Sequence, residues 1–220
     1  IYPEHGHDAI ELIRNADAAM YYAKASGRNN YQFYYNALNE KATDNIKLES
    51  SLRYALDKNE FVLYYQPQIA LGTKCITGFE ALLRWQHPTL GLLTPDKFLD
   101  VAIETGLIIP IGRWVLSEAC NNIARLNKSS RHAVRIAVNL STHQIMFGDI
   151  AADIKAVLAE TGIKPERLEL EITESSFMQH EEHTISALRK VEAMGVKFAI
   201  DDFGTGYASM EYLKIIPVDR

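Results

Sequence analysis

The chain has 220 residues, 47% of them hydrophobic, and a formal charge of −5 with a pI near 5.8. That is enough apolar material for one or two cored domains, and it excludes wholesale disorder. A net acidic chain lacks the broad basic surface on which nonspecific binding to a nucleic-acid polymer depends, but it can still take a small anionic ligand held by metal and a few arginines.

In chain order, the first element is a helix over 9–26. Asp8 is placed to cap it, with Glu11 as the reciprocal partner. Leu12, Ile13, Ala16, Ala19, Met20 and Ala23 form its apolar stripe, and Gly27 stops it. A strand-like, tyrosine-rich tail runs from Arg28 to Tyr34. Residues 36–59 are polar and periodic and read as a connecting helix. Strand and helix patterns then alternate. Strands are predicted at 61–69, 76–85, 134–140, 168–172 and 196–200. Thr94 is placed to cap a helix that opens on Pro95 and ends at Gly106. Further helices are predicted at about 110–127, 150–160, 181–193 and 209–215. The first two strands, joined near Leu71–Lys74, read as an antiparallel pair. The rest read as a parallel sheet covered by helices.

An open sheet and a closed barrel both fit that alternation. Polar residues decide between them. Glu80, Arg84, Asn139, Glu171 and Asp201 fall at or beyond the ends of successive strands, the habit of a (β/α) barrel, whereas an open sheet gathers its ligands at one crevice. The expected fold class is therefore α/β, a TIM-like (β/α)8 barrel with an antiparallel first strand pair. It is C-terminally incomplete, because only about five strands are visible. The chain also opens inside structured sequence, so further sequence is expected on both sides. No run of about 18 apolar residues occurs, so the chain reads as a cytoplasmic domain; an upstream sensor or membrane domain would lie outside it. Cys75 and Cys120 sit in apolar surroundings without CxxC spacing and read as reduced, buried thiols.

Glu80, Glu171, Asp201 and Asp202 would repel one another if gathered in one cavity. A divalent cation removes that penalty, and all-oxygen donors suit Mg²⁺ or Mn²⁺. Asn139 adds a neutral oxygen. Asp201 is placed to bridge two ions, with Glu80, Asn139 and Glu171 on one and Asp202 on the other. Two such ions acidify a shared water and offset the charge of a phosphodiester. Any one of these acids alone would read as a cap or an ion-pair partner. The adjacent pair Asp201-Asp202, ending an apolar strand before a Gly-rich turn, is the stronger signal.

Residues 60–220 resemble an EAL domain, the family that hydrolyses cyclic di-GMP. The resemblance rests on GFEALLRW around Glu80, YYQPQI at 64–69, VNLS at 138–141, ELEITES at 169–175 and DDFGTGYASMEYL at 201–213. Residues 2–34 resemble the end of a GGDEF (diguanylate cyclase) domain. The implied organisation is a GGDEF-like fragment over 1–35, a linker helix over 36–59 and the N-terminal portion of an EAL barrel over 60–220.

The resemblance implies a cyclic-guanylate-specific phosphodiesterase that makes linear pGpG with two Mg²⁺ or Mn²⁺ ions. Glu80, Asn139, Glu171, Asp201 and Asp202 would be metal ligands, with Glu80, Asp201 and Asp202 acting through an activated water. Arg84 would contact a substrate phosphate and Gln66 would line the same pocket. Glu174 would support the DDFGTG loop. Family members also dimerise near that loop, so a homodimer through the barrel is implied. The family further requires a lysine on the next strand and a later glutamate ligand, expected beyond Arg220. Ile103 stands where the family has glutamate in an Ala-Glu pair, and Ala208 where serine is common. The competing reading is an inactive EAL-type receptor for cyclic di-GMP, or a regulatory domain. An open-sheet, receiver-like metal domain accounts for the acids but not for the number of strands that contribute them.

Overall fold

The computed structural model describes residues 1–25, 29–35, 47–129, 133–173 and 181–201. The chain divides into two compact units, Ile1–Tyr54 and Ala55–Arg220.

In the first unit, helix α1 (Ala9–Ala25) begins where expected. Asp8 Oδ1 accepts from the Glu11 backbone N–H at 2.8 Å, but Glu11 Oε2 reaches back to the N–H of His7 rather than to Asp8. The buried positions are Asn15, Ala18 and Ala19, while Ile13 and Met20 of the expected stripe are exposed. A polar residue lies in that buried row because Asn15 Nδ2 donates to the His5 carbonyl at 2.8 Å, which satisfies it. Residues 29–35 carry no strand. Of the predicted connecting helix, residues 47–55 are helical (α2); its earlier part and Gly27 lie outside the described residues.

The second unit opens with a long hairpin. Asn59 takes a left-handed φ of 54° that turns the chain into β1 (Phe61–Ile69), which pairs antiparallel with β2 (Ile76–His87) from Phe61↔Trp85 to Ile69↔Ile76. Side chains alternate between the two faces. On one face, Phe61 and Trp85 pack with Phe98 and Trp114 at ring separations of 5.5–6.0 Å. Trp85 Nε1 donates to Glu60 Oε2 at 2.9 Å, so the buried indole keeps its polar partner. Each buried aromatic contributes about 1.5–3 kcal/mol. This cluster fastens the helical layer to the outer face of the hairpin. The other face, carrying Gln66, Glu80 and Arg84, is left for the interior.

A short strand β3 (Gly91–Leu93), not anticipated from the sequence, extends the β2 edge. The predicted helix after Thr94 is broken into a 3-10 turn (Pro95–Lys97) and α3 (Leu99–Glu104). Thr94 makes no side-chain cap; its hydroxyl bonds Asp96 instead. Next come α4 (Ile108–Ser129), β4 (Arg135–Asn139), α5 (Thr142–Phe147) and α6 (Ile150–Thr161). Helix α5 was also unanticipated. Ser141 and Gln144 close a full capping box at its start. The chain continues through β5 (Leu168–Thr173), α7 (Glu181–Glu192) and β6 (Lys197–Asp201). Gly162 and Gly195 end their helices at φ 66° and 93°.

Strands β2, β4, β5 and β6 run parallel, and the sheet order is β1-β2-β4-β5-β6 with β3 beside β2. Ile136–Val138 and Leu168–Ile172 are buried residue after residue, because parallel strands are covered on both faces. The fold is that of a TIM-like barrel, mixed α/β with an antiparallel first pair; the sheet formed by the described residues is not closed. Cys120 is buried, but Cys75 is exposed, against expectation. Its strand-connecting turn projects beyond the hairpin, so apolar neighbours in sequence are not neighbours in space. Among the described residues, no helix is long and apolar enough to cross a membrane.

Candidate active site

Four of the five expected ligands lie among the described residues; Asn139, Glu171 and Asp201 are at or near the carboxyl ends of their strands, and Glu80 is near the end of the part of β2 that pairs with β4. Glu80 is level with Ala137, Glu169 and Lys197 along the hydrogen-bonded rungs. Asn139 and Glu171 are partners two residues higher, and Asp201, opposite Thr173, is two residues higher again. From Lys197 to Asp201 the climb is four residues over three parallel steps. Strands of an eight-stranded barrel with shear 8 drift by about one residue per strand. A climb of that size runs along the same diagonal as such a drift.

The side chains meet accordingly. Asn139 Nδ2 donates to Glu80 Oε1 at 2.8 Å. Burial pushes the Glu171 pKa up to about 7, and the charges of Glu80, Asp201 and Glu169 add to the shift. A buried carboxyl among like charges favours its protonated form. Among the described residues, no three Asp, Glu, His or Cys side chains form a group that could hold an ion on their own. What is present is Glu80 with the Asn139 amide bonded to it, the buried Glu171 and the charge of Asp201 nearby. The donors are all oxygens and the acids raise the pKa of Glu171, so the set fits a hard divalent cation that would relieve that repulsion. Asp202 and Glu174 lie outside the described residues.

Gln66 is the cross-strand partner of Glu80 and shares its face. Arg84 is half-buried; its Nη1 donates to the Leu83 carbonyl at 2.7 Å and its guanidinium lies 5.6 Å from the centre of the Tyr64 ring. Stacking on Tyr64 holds the planar fork on the same inner face as Glu80. Beside the cluster opens a cavity of about 700 Å³. Asn139, Thr173 and Asp201 form its polar edge, and Leu99, Ile103, Ile111 and Phe147 are among its apolar walls. Ile103, the departure from the family pattern, is thus a wall of the cavity next to the acids.

Sequence reasoning missed Gln68, whose Nε2 donates to Glu171 Oε1 at 3.4 Å. A signal for it existed, since Gln66 and Gln68 share a face by the two-residue period.

The EAL domain family matches residues 49–220. Among curated proteins, the chain is 44% identical over its full length to the bifunctional diguanylate cyclase/cyclic di-GMP phosphodiesterase MucR of Pseudomonas aeruginosa, covering 32% of that protein. It is 36% identical over 99% of its length to the cyclic di-GMP phosphodiesterase PdeR of Escherichia coli, again covering 32%. The chain thus spans about a third of the length of these relatives. Among solved structures, the PaMucR phosphodiesterase in its c-di-GMP complex superposes with a TM-score of 0.75 at 42% identity, covering 78% of this chain and 70% of that one. The FimX EAL domain from Pseudomonas aeruginosa bound to c-di-GMP gives 0.69 at 25% identity, covering 78% and 68%. On its sequence and on its fold, this chain belongs to the EAL domain family.

Proposed function

We propose that the protein to which this chain belongs hydrolyses cyclic di-GMP to linear pGpG with Mg²⁺ or Mn²⁺. The observation that supports this reading is the set of Glu80, Asn139, Glu171 and Asp201 on four successive parallel strands, with Asn139 bonded to Glu80 and Glu171 buried near the charges of Glu80 and Asp201. Divalent cations bound there supply offset of the phosphate charge and a more acidic water. Glu80, Asn139, Glu171 and Asp201 would hold one cation, and Asp201 and Asp202 would hold a second. Arg84 orients a nonbridging phosphate oxygen through its planar fork. Gln66, opposite Glu80, borders the same phosphate. Water oxygen bonds to phosphorus and gives up a proton, the P–O3′ bond breaks, and the leaving O3′ takes up a proton in its place. The apolar-walled cavity beside Asn139 and Asp201 suits a purine ring. The names of MucR and PdeR support the same substrate. The first unit is read as the end of a GGDEF-like domain.

The test is incubation of the full-length protein with cyclic di-GMP and Mn²⁺, followed by chromatography of the products. Linear pGpG appearing only with the metal supports the reading. Tight binding of cyclic di-GMP without any linear product would make the domain a receptor instead.

A further inference from the structure

Gln68, Gly78 and Arg135 are register partners across three neighbouring strands, β1, β2 and β4. The middle strand contributes no side chain to this rung. Arg135 fills the gap: a Cβ added to Gly78 would stand 2.5 Å from Arg135 Cγ and 3.3 Å from its Nε. Rooted on β4, Arg135 thereby passes over β2, and its Nε donates to Gln68 Oε1 at 3.4 Å. The same Nε is 3.7 Å from Glu169 Oε2 on β5.

This arrangement settles which way the Gln68 amide points. Arginine can only donate, so the amide oxygen must face it. The amide nitrogen is then turned to Glu171 Oε1, 3.4 Å away. The device is electrostatically economical. A guanidinium set directly against Glu171 would neutralise it and compete with a cation. Here the positive charge is matched by Glu169, and a neutral amide passes on orientation alone.

We propose that Gln68 is a positioning residue for Glu171, and that Arg135, crossing the gap at Gly78, is the strap that holds it in that role. The inference rests on the reading of Glu171 as a ligand for a divalent cation. Gln68 donates one hydrogen bond to Glu171 Oε1, fixing the rotation of the carboxylate before the cation arrives. Partners behind a ligand commonly contribute 10–100-fold to metal affinity.

The experiment is calorimetric titration of Mn²⁺ into the full-length protein, with urea unfolding of each variant in metal-free buffer. Gln68→Leu should weaken Mn²⁺ binding about tenfold or more while leaving the chain folded. Arg135→Lys, which keeps the charge but loses Nε, should do the same, and the double variant should be no worse than either single one. Gly78→Ala should reproduce the loss without removing any polar group. Gly72→Ala, where an added Cβ meets nothing within 4 Å, should not. Gln68→Leu binding Mn²⁺ as tightly as wild type overturns the inference while the metal reading stands. Additive losses in the double variant overturn the strap. A wild-type protein that binds no Mn²⁺ overturns the metal reading and this inference with it.

Discussion

Asn139 Nδ2 donates to Glu80 Oε1 at 2.8 Å, and Glu171, the register partner of Asn139, is buried near the charges of Glu80 and Asp201. Folded Glu171 titrates near 7 rather than at the ordinary 4.5. Between those values the folded chain holds a proton that the unfolded chain has released. That contribution to stability is complete below 4.5 and is lost as pH rises through 7. In metal-free buffer, the urea midpoint of wild type relative to Glu171→Gln should therefore fall across this window. With saturating Mn²⁺ the trend should reverse, because the cation binds the deprotonated Glu171. A difference that stays flat from pH 4.5 to 7 would count against the raised titration of Glu171.

Glu171→Gln should separate stability from activity. The amide keeps the shape and can donate to an ionised Glu80. Metal-free stability at pH 8 should rise by about 1–3 kcal/mol, the scale of a hydrogen bond to a charged group. Hydrolysis of cyclic di-GMP should fall at least about 100-fold, since a ligand is lost. Retained turnover in this variant would remove Glu171 from the ligand set.

Arg84→Lys tests the phosphate role. Lysine keeps the charge but loses the planar fork and its stacking on Tyr64. KM should rise about tenfold with Mn²⁺ affinity unchanged, as measured by steady-state kinetics beside calorimetry. Equal losses in substrate and metal binding would argue that Arg84 supports the ligands instead.

Phe98→Ala tests the aromatic clamp on the hairpin. Phe98 is 1% exposed and touches both Phe61 and Trp85. Its removal should cost about 3–5 kcal/mol in denaturant unfolding. Because the clamp lies on the face away from Glu80, the Mn²⁺ affinity of the folded fraction should be retained.

Much of this was legible in the sequence. Strands β5 and β6 are short apolar runs that follow glycine-terminated helices, and the boundaries of β4, β5 and β6 fall within a residue or two of expectation. The candidate site residues stood out because polar groups in or ending apolar strands break a local pattern. What escaped depends on distant partners. The row of α1 that is buried is Asn15, Ala18 and Ala19, chosen by packing and by the His5 carbonyl rather than by hydrophobicity. Helix α5 is only six residues long, and its capping box ends in Gln144 rather than glutamate. Gly78 reads as an ordinary strand glycine until Arg135, 57 positions away in sequence, is found lying across it.

The diagonal of donors also limits how such a domain can be edited. One residue inserted within β5 before Glu171 would turn its carboxylate to the helix side, because strand faces alternate. Two inserted residues would restore the face but shift the donor by about 7 Å. Glu80, Asn139, Glu171 and Asp201 must therefore keep their strand lengths in concert, and length variation is tolerable only in the connections beyond them. A scan of single-residue insertions along the chain should map the site as four silent gaps, one per strand.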